Sequence, residues 1–454
     1  MTLPRRKTKR HSLFSSRLKG ISIKGFKSIK DEVRIDFHPL TIISGANSSG
    51  KSSIMQPLLM IKQTIESAYD QGPLKLNGEN VKFTKAKQLF WMEGNKLDEA
   101  EFTIKFFIDD YEASVSYRLN KKRFFISQVK YIIDTKEFIL KESMSDDEIR
   151  VLLKNGLSDF MIRNSLTDKT PKDMLIKYEV QRDRWFLLPI QTIRSVEKPE
   201  SIVASVRSSE DTPLGRIQRL LSGLFHLPGL RGNPERSYPV TVVEDGTFPG
   251  VFPIYTASII ALWKQKNDAR LKKLGEYLSL LGLTWKVDSL RLDDTSVELR
   301  VGRLANAKPK GSKDLVNIAD VGVGVSQTLP LLVALLAAKK DQIVYIEQPE
   351  IHLHPRAQVA LAQIIIDSAK RGVVTIIETH SNLVLRGLQE QVALGNIASE
   401  KTILHWFSRD DEGVTQVQSG SIDKNGRYKD WPEDFADVEF DIENRFMMAS
   451  IKNG

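Results

Sequence analysis

Gly45-Ala-Asn-Ser-Ser-Gly-Lys-Ser52 is the stretch that decides the fold of this 454-residue chain. It fits the pattern G-x-x-x-x-G-K-[ST], in which successive backbone N–H groups surround nucleotide phosphates. An apolar segment of strand type, residues 40–44, leads into it, and a helix is predicted from about residue 52 to 68. Because this order directs N–H groups and a helix N-terminus at one anion, the stretch predicts a phosphate-binding loop.

The loop assigns roles to individual residues. Lys51 is expected to reach the β- and γ-phosphates, and the Ser52 hydroxyl to ligate Mg²⁺. Glycine is required where a Cβ would block the approach of the backbone to phosphate. The alternative is a chance match in a loop rich in serine and glycine. The predicted nucleotide-binding residues are Gly45, Asn47, Ser48, Ser49, Gly50, Lys51, Ser52 and Ser53.

Composition excludes several classes of protein. The chain has no cysteine, so disulfides, thiolate catalysis and cysteine zinc sites are ruled out. The longest apolar run, residues 329–338, is too short to span a bilayer. No apolar segment of signal-peptide type follows the basic N-terminus. We therefore expect a soluble, cytoplasmic protein with no membrane contact.

Charge is concentrated at the two ends of the chain. Most of the net charge of +9 comes from residues 1–20, which hold seven Arg or Lys and no acid. Residues 430–443 hold seven acids and no base. The basic tail is expected either to be a solvated, disordered extension or to bind nucleic acid through phosphates.

Hydrophobic periodicity predicts two kinds of sheet. Residues 18–37 read as two strands, and residues 101–140 alternate like an antiparallel meander. Further predictions are a helix over 146–166, a strand over 177–190, a helix over 257–281 and a hairpin over 285–301. From residue 320 onwards short apolar strands alternate with helices, which indicates a largely parallel sheet covered by helices.

Two apolar strands in the C-terminal part end in polar residues. Residues 343–347 end at Glu347, which we predict to hold Mg²⁺ beside Ser52. Residues 373–377 lead to His380, which we predict to sense the γ-phosphate. The carboxyl ends of adjacent parallel strands converge on one crevice, where open α/β sheets bind ligands.

These motifs carry a resemblance to the ABC-type ATPase heads of the SMC, RecF, RecN and OLD proteins. The matching residues are Phe26-Lys-Ser28, the loop with Ser53, Glu347 to Pro355, and Thr379-His-Ser381. The chain most resembles stand-alone bacterial AAA/ABC-like ATPases, many of which occur in anti-phage defence operons. The resemblance implies an ABC-ATPase head of the α/β class, with a mixed sheet flanked by helices, an antiparallel β subdomain and an inserted α+β region.

The chain departs from the family at the position of the catalytic glutamate, which holds Gln348. Glutamine can orient the attacking water but cannot accept its proton. Glu350, two residues later, is a candidate for the missing carboxylate. Slow or partner-gated hydrolysis follows, with Gln348, Glu350 and His380 as the predicted catalytic residues.

The family signature, which donates a hydroxyl and N–H groups to the γ-phosphate of the opposite subunit, corresponds to residues 322–328. Gly324, Ser326 and Gln327 are its predicted nucleotide-binding residues, with Ser326 and Gln327 opening the helix that contains Leu329. A simple helix cap is the alternative. Gln88 is the candidate for the glutamine loop and hence a third metal ligand beside Ser52 and Glu347.

The predicted organisation has four parts. Residues 1–17 form the basic tail, 18–140 an N-terminal ATPase lobe, 141–310 the inserted α+β subdomain and 311–454 a C-terminal ATPase lobe. Within the insertion, the Pro/Gly/Arg-rich residues 227–238 are expected either to contact phosphate or a partner chain, or to form a surface loop whose arginines cap carbonyls.

The predicted function is ATP binding and hydrolysis with Mg²⁺ by a homodimer or higher homo-oligomer that holds ATP between its copies. The chain would act as the sensor or regulatory subunit of a bacterial, anti-phage defence complex whose separate effector is a nuclease or similar protein. The alternatives are a RecF-like DNA-binding repair or recombination ATPase and a non-hydrolysing, nucleotide-dependent scaffold.

Overall fold

The computed structural model describes residues 17–92, 100–121, 123–158, 174–196, 202–206, 212–243, 246–304, 314–428 and 445–449. The predicted basic tail (all but its last residue), the C-terminal end of the predicted helix 146–166 and the acidic residues 430–443 lie outside these ranges.

The strands are numbered along the chain. They are β1 (Leu18–Lys24), β2 (Val33–Asp36), β3 (Leu40–Gly45), β4 (Ala100–Ile108), β5 (Tyr111–Leu119), β6 (Phe124–Ile133), β7 (Lys136–Leu140), β8 (Met174–Asp183), β9 (Phe186–Ser195), β10 (Ile202–Val206), β11 (Phe225–Leu227), β12 (Tyr238–Pro239), β13 (Val287–Arg291), β14 (Ser296–Gly302), β15 (Leu315–Asn317), β16 (Ile343–Glu347), β17 (Val374–Glu378), β18 (Thr402–Arg409) and β19 (Thr415–Gly420).

The helices are numbered in the same way. They are α1 (Lys51–Ile65), α2 (Asp146–Leu152), α3 (Pro213–Ser222), α4 (Thr256–Gln265), α5 (Ala269–Leu280), α6 (Val323–Ala337), α7 (Pro355–Lys370) and α8 (Asn382–Ala393). None of the helices in the described part of the chain is long and apolar enough to cross a bilayer.

A six-stranded central sheet, in the order β11-β16-β17-β3-β18-β19, organises the molecule. Its first five strands are parallel and β19 pairs antiparallel with β18. Strand β17 therefore lies between β3, which enters the phosphate loop, and β16. The carboxyl ends of all three strands meet at one edge of the sheet.

Both faces of this sheet are buried. Alternate side chains of a strand point to opposite sides, and each side packs against a different hydrophobic core. Tyr345 and Ile376 belong to one hydrophobic core, together with α1, α3 and the strands β1, β2 and β4 to β9. Val344 and Ile377 belong to a second core with α4 to α8. This double burial explains the nearly continuous apolar sequences of β16 and β17.

The other strands form antiparallel sheets in the orders β2-β1-β4-β5-β6-β7 and β10-β9-β8, and a smaller sheet β12-β14-β13 in which β15 also pairs with β14. The predicted α/β class, with a mixed sheet flanked by helices and an antiparallel subdomain, is confirmed. The region predicted as an insertion contributes β11 to the central sheet.

Two predicted elements are wrong in detail. The single strand predicted over 177–190 is the hairpin of β8 and β9, whose turn has no glycine and places Arg184 at a φ of 54°. The single helix predicted over 257–281 is α4 and α5, separated where Asn267 adopts a φ of 51°. The Asp268 side chain then caps α5 by accepting a hydrogen bond from the Arg270 N–H.

Candidate functional site

The phosphate loop joins β3 to α1 with the backbone geometry that its glycines permit. Gly45 has a φ of 139° and Gly50 a φ of 101°, which side chains rarely tolerate. A Cβ on Gly50 would lie 2.2 Å from the Thr415 hydroxyl oxygen, so β19 also leaves no space for a side chain. The Thr415 hydroxyl donates to the carbonyl of Ser49 and fixes the loop from outside.

A cleft of about 550 Å³ opens above this loop. Seven of the eight predicted loop residues line it: Asn47, Ser48, Ser49, Gly50, Lys51, Ser52 and Ser53. Gln348, Glu378 and His380 reach the same cleft from β16 and β17. The structure thus brings together residues that are distant in sequence, such as Ser52 and Glu378, which are 326 positions apart.

Lys51 bends back over the loop. Its Nζ donates to the carbonyl of Gly45 at 3.1 Å and to that of Ala46 at 2.5 Å. Burial lowers the pKa of the Lys51 ammonium from its usual range, and the nearby Glu378 charge opposes this shift. Gly45, the eighth predicted loop residue, does not line the cleft, but its carbonyl accepts a hydrogen bond from Lys51.

The hydroxyl of Ser52 donates to Glu378 Oε1 at 2.8 Å. The other carboxylate oxygen of Glu378 accepts from the Tyr345 hydroxyl at 2.7 Å. Burial raises the pKa of the Glu378 carboxyl above its ordinary value, although both hydrogen bonds oppose the shift. The carboxylate next to the loop serine is thus Glu378 and not the predicted Glu347, because β17 lies between β3 and β16.

Glu347 turns away from the loop, towards β11. Its Oε1 lies 3.1 Å from His226 Nε2, and its Oε2 accepts from the Gly229 N–H at 3.1 Å. Burial would raise the pKa of the Glu347 carboxyl, but hydrogen bonds from His226 and Gly229 and the charge of Arg231 hold it below its ordinary value. The Glu347 carboxylate therefore contacts an imidazole and a backbone amide, and not the Ser52 hydroxyl as predicted.

Gln348 lines the cleft from a left-handed backbone, with a φ of 44°. Its N–H donates to the carbonyl of Glu378 at 2.7 Å. Glu350 lies behind His380 and not on the cleft wall: its Oε1 accepts from the His380 N–H at 3.0 Å, and its Oε2 is buried without a hydrogen-bond partner. The geometry does not place Glu350 as a substitute for the missing catalytic carboxylate.

The His380 ring faces the loop. Burial and the charge of Lys51 lower the pKa of His380 below its usual value, and a backbone hydrogen bond with Gly45 opposes them only partly. The imidazole is therefore neutral at pH 7, with one nitrogen able to donate to a phosphate oxygen.

Gln88 is not at this site. It lies in a short 3₁₀ turn, Ala86–Leu89, and its side-chain oxygen accepts from the N–H groups of Thr84 and Lys85. Besides Gln348, the cleft is lined by Gln56 of α1, which accepts from Lys27 Nζ at 3.0 Å. In this structure the Gln88 side chain caps its own turn and does not line the cleft, so nothing in the described geometry supports its predicted role as a metal ligand.

The predicted signature residues do not line the cleft of their own chain. Helix α6 begins at Val323, so Ser326 and Gln327 lie inside it and do not open it. The Ser326 hydroxyl donates to the carbonyl of Val323, and Gln327 accepts from the Arg231 N–H. Gly324 lies in the first turn of the same helix. Contact with the nucleotide of a second copy stays a prediction.

Sequence reasoning missed several residues of the site. Glu378 is the last residue of the buried strand β17 and lies two positions before His380. Its position at a strand end next to a predicted site residue could have indicated its place in the cleft. Lys27, Gln56 and Arg409 also line the cleft. Lys27 lies within the Phe26-Lys-Ser28 match, whereas Gln56 and Arg409 have no local pattern that indicates the site.

The predicted loop residues 227–238 include two arginines with different surroundings. The buried guanidinium of Arg231 donates to the carbonyls of Gln327 and Glu347 at 3.1 and 2.8 Å. Arg236 forms an exposed ion pair with Asp320. Carbonyl capping, the structural alternative for this loop, is therefore what Arg231 does, although inside the protein and not at its surface.

The parallel sheet, the phosphate loop and the convergent strand ends define an α/β protein of the phosphate-loop ATPase class. Residues 40–386 match the family described as "AAA domain, putative AbiEii toxin, Type IV TA system". The chain belongs to this family of AAA-domain proteins, in agreement with the ATPase resemblance of its sequence. Residues 397–442 match a second family, described as a protein of unknown function (DUF3696).

Among curated proteins no match was found. Solved structures that are similar include an SMC head bound to the C-terminal winged-helix domain of ScpA, with 17% identity, a TM-score of 0.45, and 90% of this chain and 98% of that chain covered. The Pyrococcus furiosus SMC head bound to the C-terminal domain of ScpA gives 15%, 0.43, 89% and 96%. The SMC head of Thermotoga maritima gives 15%, 0.37, 88% and 98%.

Proposed function

We propose that this chain binds ATP with Mg²⁺ in the cleft above residues 45–52 and hydrolyses it slowly. The observation that carries the proposal is the meeting of Lys51, Ser52, Glu378, Gln348 and His380 around one cleft of about 550 Å³. The loop N–H groups and the start of α1 hold the phosphates, and Lys51 neutralises their charge.

The donor set fits Mg²⁺. Mg²⁺ is usually held by one or two carboxylates, substrate phosphates and water, and no dedicated protein cage is needed. Among the described residues there is no group of three or more His, Cys, Asp or Glu side chains placed to hold a metal alone. The Ser52 hydroxyl and the Glu378 carboxylate, 2.8 Å apart, are the oxygen ligands we assign. When bound, Mg²⁺ would neutralise charge on the β- and γ-phosphate oxygens.

The protein groups divide the remaining work. The neutral His380 ring donates a hydrogen bond to the γ-phosphate, and the Gln348 amide orients the attacking water. Of the described residues that line the cleft, Glu378 is the one carboxylate, and Ser52 and Tyr345 already engage it. Without a free proton acceptor, hydrolysis is slow, and a partner that completes the cleft accelerates it.

We further propose that two copies hold ATP between them, because residues 322–328 do not line their own cleft and Val323 is 45% exposed. The family description names a putative toxin of a toxin–antitoxin system. It supports a role as the nucleotide-dependent regulatory subunit of a bacterial defence complex with a separate effector. Light scattering with and without ATP tests the dimer, and a monomer at saturating ATP would exclude it.

The main experiment measures ATP binding and phosphate release by the full chain beside Lys51→Ala. Wild type is expected to bind ATP in a Mg²⁺-dependent manner and to release phosphate, while Lys51→Ala loses binding by at least about tenfold. Lys82→Ala, on the loop after α1 and outside the cleft, is the matched control. Unchanged ATP binding by Lys51→Ala would exclude this site.

A nucleotide-dependent scaffold that does not hydrolyse is the second candidate, and Gln348 in place of a general base favours it. Phosphate release by wild type no greater than that by Lys51→Ala, with ATP binding intact, would select the scaffold. Gln348→Glu then supplies a carboxylate at the same position and is expected to raise phosphate release about tenfold or more.

A further inference from the structure

We propose that Arg231 is a positioning residue that couples the start of α6 to the water-orienting Gln348. The proposal rests on the proposed function, because it concerns the regulation of the same cleft. Its structural basis is the loop at residues 228–232, which leaves β11 and passes between β16 and α6. We call this segment the coupling loop.

The guanidinium of Arg231 joins two elements that are distant in sequence. Its Nη1 donates to the carbonyl of Gln327 in α6 at 3.1 Å. Its Nη2 donates to the carbonyl of Glu347 at 2.8 Å and approaches that of Gln348 at 3.4 Å. One planar, rigid group thus fixes the distance between the first turns of α6 and the end of β16.

The backbone of the coupling loop reinforces this connection from both sides. The Arg231 N–H donates to Gln327 Oε1 at 3.2 Å, and the Gln327 amide nitrogen donates to the carbonyl of Gly232. On the other side the Gly229 N–H donates to Glu347 Oε2 at 3.1 Å. A displacement of α6 is therefore transmitted to β16 through hydrogen bonds in series.

Gln348 is the residue that receives such a displacement. Its φ of 44° is unfavourable for a residue with a side chain, so neighbouring contacts must hold it. Its N–H is fixed to the Glu378 carbonyl at 2.7 Å, and the Arg231 guanidinium approaches its own carbonyl. A Cβ on Gly229 would lie 3.3 Å from the Gln348 side-chain oxygen, so the coupling loop also contacts the amide.

The planar guanidinium, and not charge alone, explains why the residue is arginine. Burial lowers the pKa of the Arg231 guanidinium to about 10, while Glu350 and Glu347 stabilise its charge. The group is therefore a cation at neutral pH. Lysine would keep the charge but has no planar fork that donates to two carbonyls at once.

This arrangement gives the start of α6 a route to the hydrolytic residue of its own chain. If a second copy seats its nucleotide against residues 322–328, the resulting shift of α6 reaches Gln348 through Arg231. ATP in one cleft would then set the geometry of the other.

The experiment compares full-length wild type with Arg231→Lys, Arg231→Met and, as the matched control, Thr256→Val. Thr256 lines the same small cavity of about 50 Å³ as Arg231 and has a buried hydroxyl without a partner. We expect kcat for phosphate release to fall about tenfold in Arg231→Met and less in Arg231→Lys. ATP affinity stays close to wild type in both, and Thr256→Val keeps wild-type kcat.

A second variant guards against simple misfolding. Gln327→Ala removes the two side-chain bonds to the coupling loop but leaves the carbonyl that Arg231 caps, so it is expected to lower kcat less than Arg231→Met. Equal losses of kcat and ATP affinity that follow a loss of thermal stability would overturn the proposal. So would a wild-type kcat in Arg231→Met.

Amide hydrogen exchange provides a readout that does not need hydrolysis. In Arg231→Lys, exchange in the segment 347–351 is expected to be about tenfold faster than in wild type, while the segment 45–52 is unchanged. If wild type binds ATP but releases no phosphate, the proposed hydrolysis fails while this exchange result still tests the coupling. Identical exchange at 347–351 in wild type and Arg231→Lys would refute it.

Discussion

Strands β16 and β17 run side by side and end at the same edge of the sheet, but their last carboxylates have opposite surroundings. Glu347 and Glu378 are direct register partners. Glu347 is surrounded by hydrogen-bond donors and a cation, which hold its pKa below the ordinary value despite burial. Burial dominates at Glu378 and raises its pKa. The comparison shows that the order of strands in the sheet, and not the position of a carboxylate in a motif, decides which carboxylate accepts a hydrogen bond from Ser52.

The largest expected effect is that of Glu378→Gln. This change removes the negative charge beside Ser52, so Mg²⁺-dependent ATP binding and phosphate release should fall by about a hundredfold or more. The amide is nearly isosteric, so the free energy of unfolding should change by less than about 1 kcal/mol. Phosphate release over a Mg²⁺ titration and urea unfolding measure the two effects, with the exposed Glu390→Gln as control.

Glu347→Gln should have a smaller effect on activity and a larger one on stability. Neutralising Glu347 weakens its bonds with His226 and leaves the buried Arg231 cation with less compensation, which costs about 1–3 kcal/mol. Activity should fall about tenfold, because Arg231, which contacts the end of β16, then holds Gln348 less firmly. If Mg²⁺ dependence disappears in Glu347→Gln and persists in Glu378→Gln, the two assignments are exchanged.

The pH dependence of stability should have opposite signs at the two carboxylates. The raised pKa of Glu378 means that its contribution to stability is present below the ordinary pKa and is lost as pH rises through the folded-state pKa. The lowered pKa of Glu347 gives a contribution that is present above the ordinary pKa and is lost as pH falls through the folded-state pKa. Urea unfolding between about pH 3 and 8 of wild type, Glu378→Gln and Glu347→Gln measures both slopes, because the Glu347 transition lies below the ordinary glutamate pKa. Slopes of equal sign would contradict the contrast.

The same shift predicts the direction of metal binding. If Glu378 holds Mg²⁺ as proposed, its carboxylate must be ionised, so Mg²⁺-dependent ATP affinity should weaken as pH is lowered towards the raised pKa, at a higher pH than for an ordinary glutamate. A Mg²⁺ titration of ATP binding at several pH values measures this effect. Affinity independent of pH down to the ordinary glutamate range would show that Glu378 is not a ligand.

The sequence predicts the loop and the strands that form the site, but it does not predict the different surroundings of Glu347 and Glu378. The phosphate loop, β16 and β17 follow from apolar periodicity and glycine placement, with ends correct to within one or two residues. What the sequence could not show is that β17 is inserted between β3 and β16. That order depends on tertiary packing on both faces of the sheet. It places Glu378, and not Glu347, within hydrogen-bond distance of Ser52.

The remaining misses have the same kind of cause. The turn between β8 and β9 carries no glycine, and Arg184 adopts its left-handed backbone there while its guanidinium donates to the carbonyls of Thr64 and Ser67. Gln88 looked suitable because of its position after α1, but its side chain is used within its own turn. Long-range contacts, invisible in a local pattern, decided both cases.

The smallest expected effect, at Gly229, tests how finely the two strand ends are separated. Its N–H donates to Glu347, and alanine keeps that donor. An added Cβ would lie 3.3 Å from the Gln348 side-chain oxygen and 3.9 Å from Glu347 Cβ, so the flexible amide must move slightly while the backbone stays in place.

We expect Gly229→Ala to change the free energy of unfolding by less than about 1 kcal/mol. Because the amide that orients water is the group displaced, kcat should fall by about twofold to fivefold with ATP affinity unchanged. Steady-state phosphate release and urea unfolding measure these effects. A large loss of stability with unchanged kcat would mean that Gly229 supports the fold of β16 and not the position of Gln348.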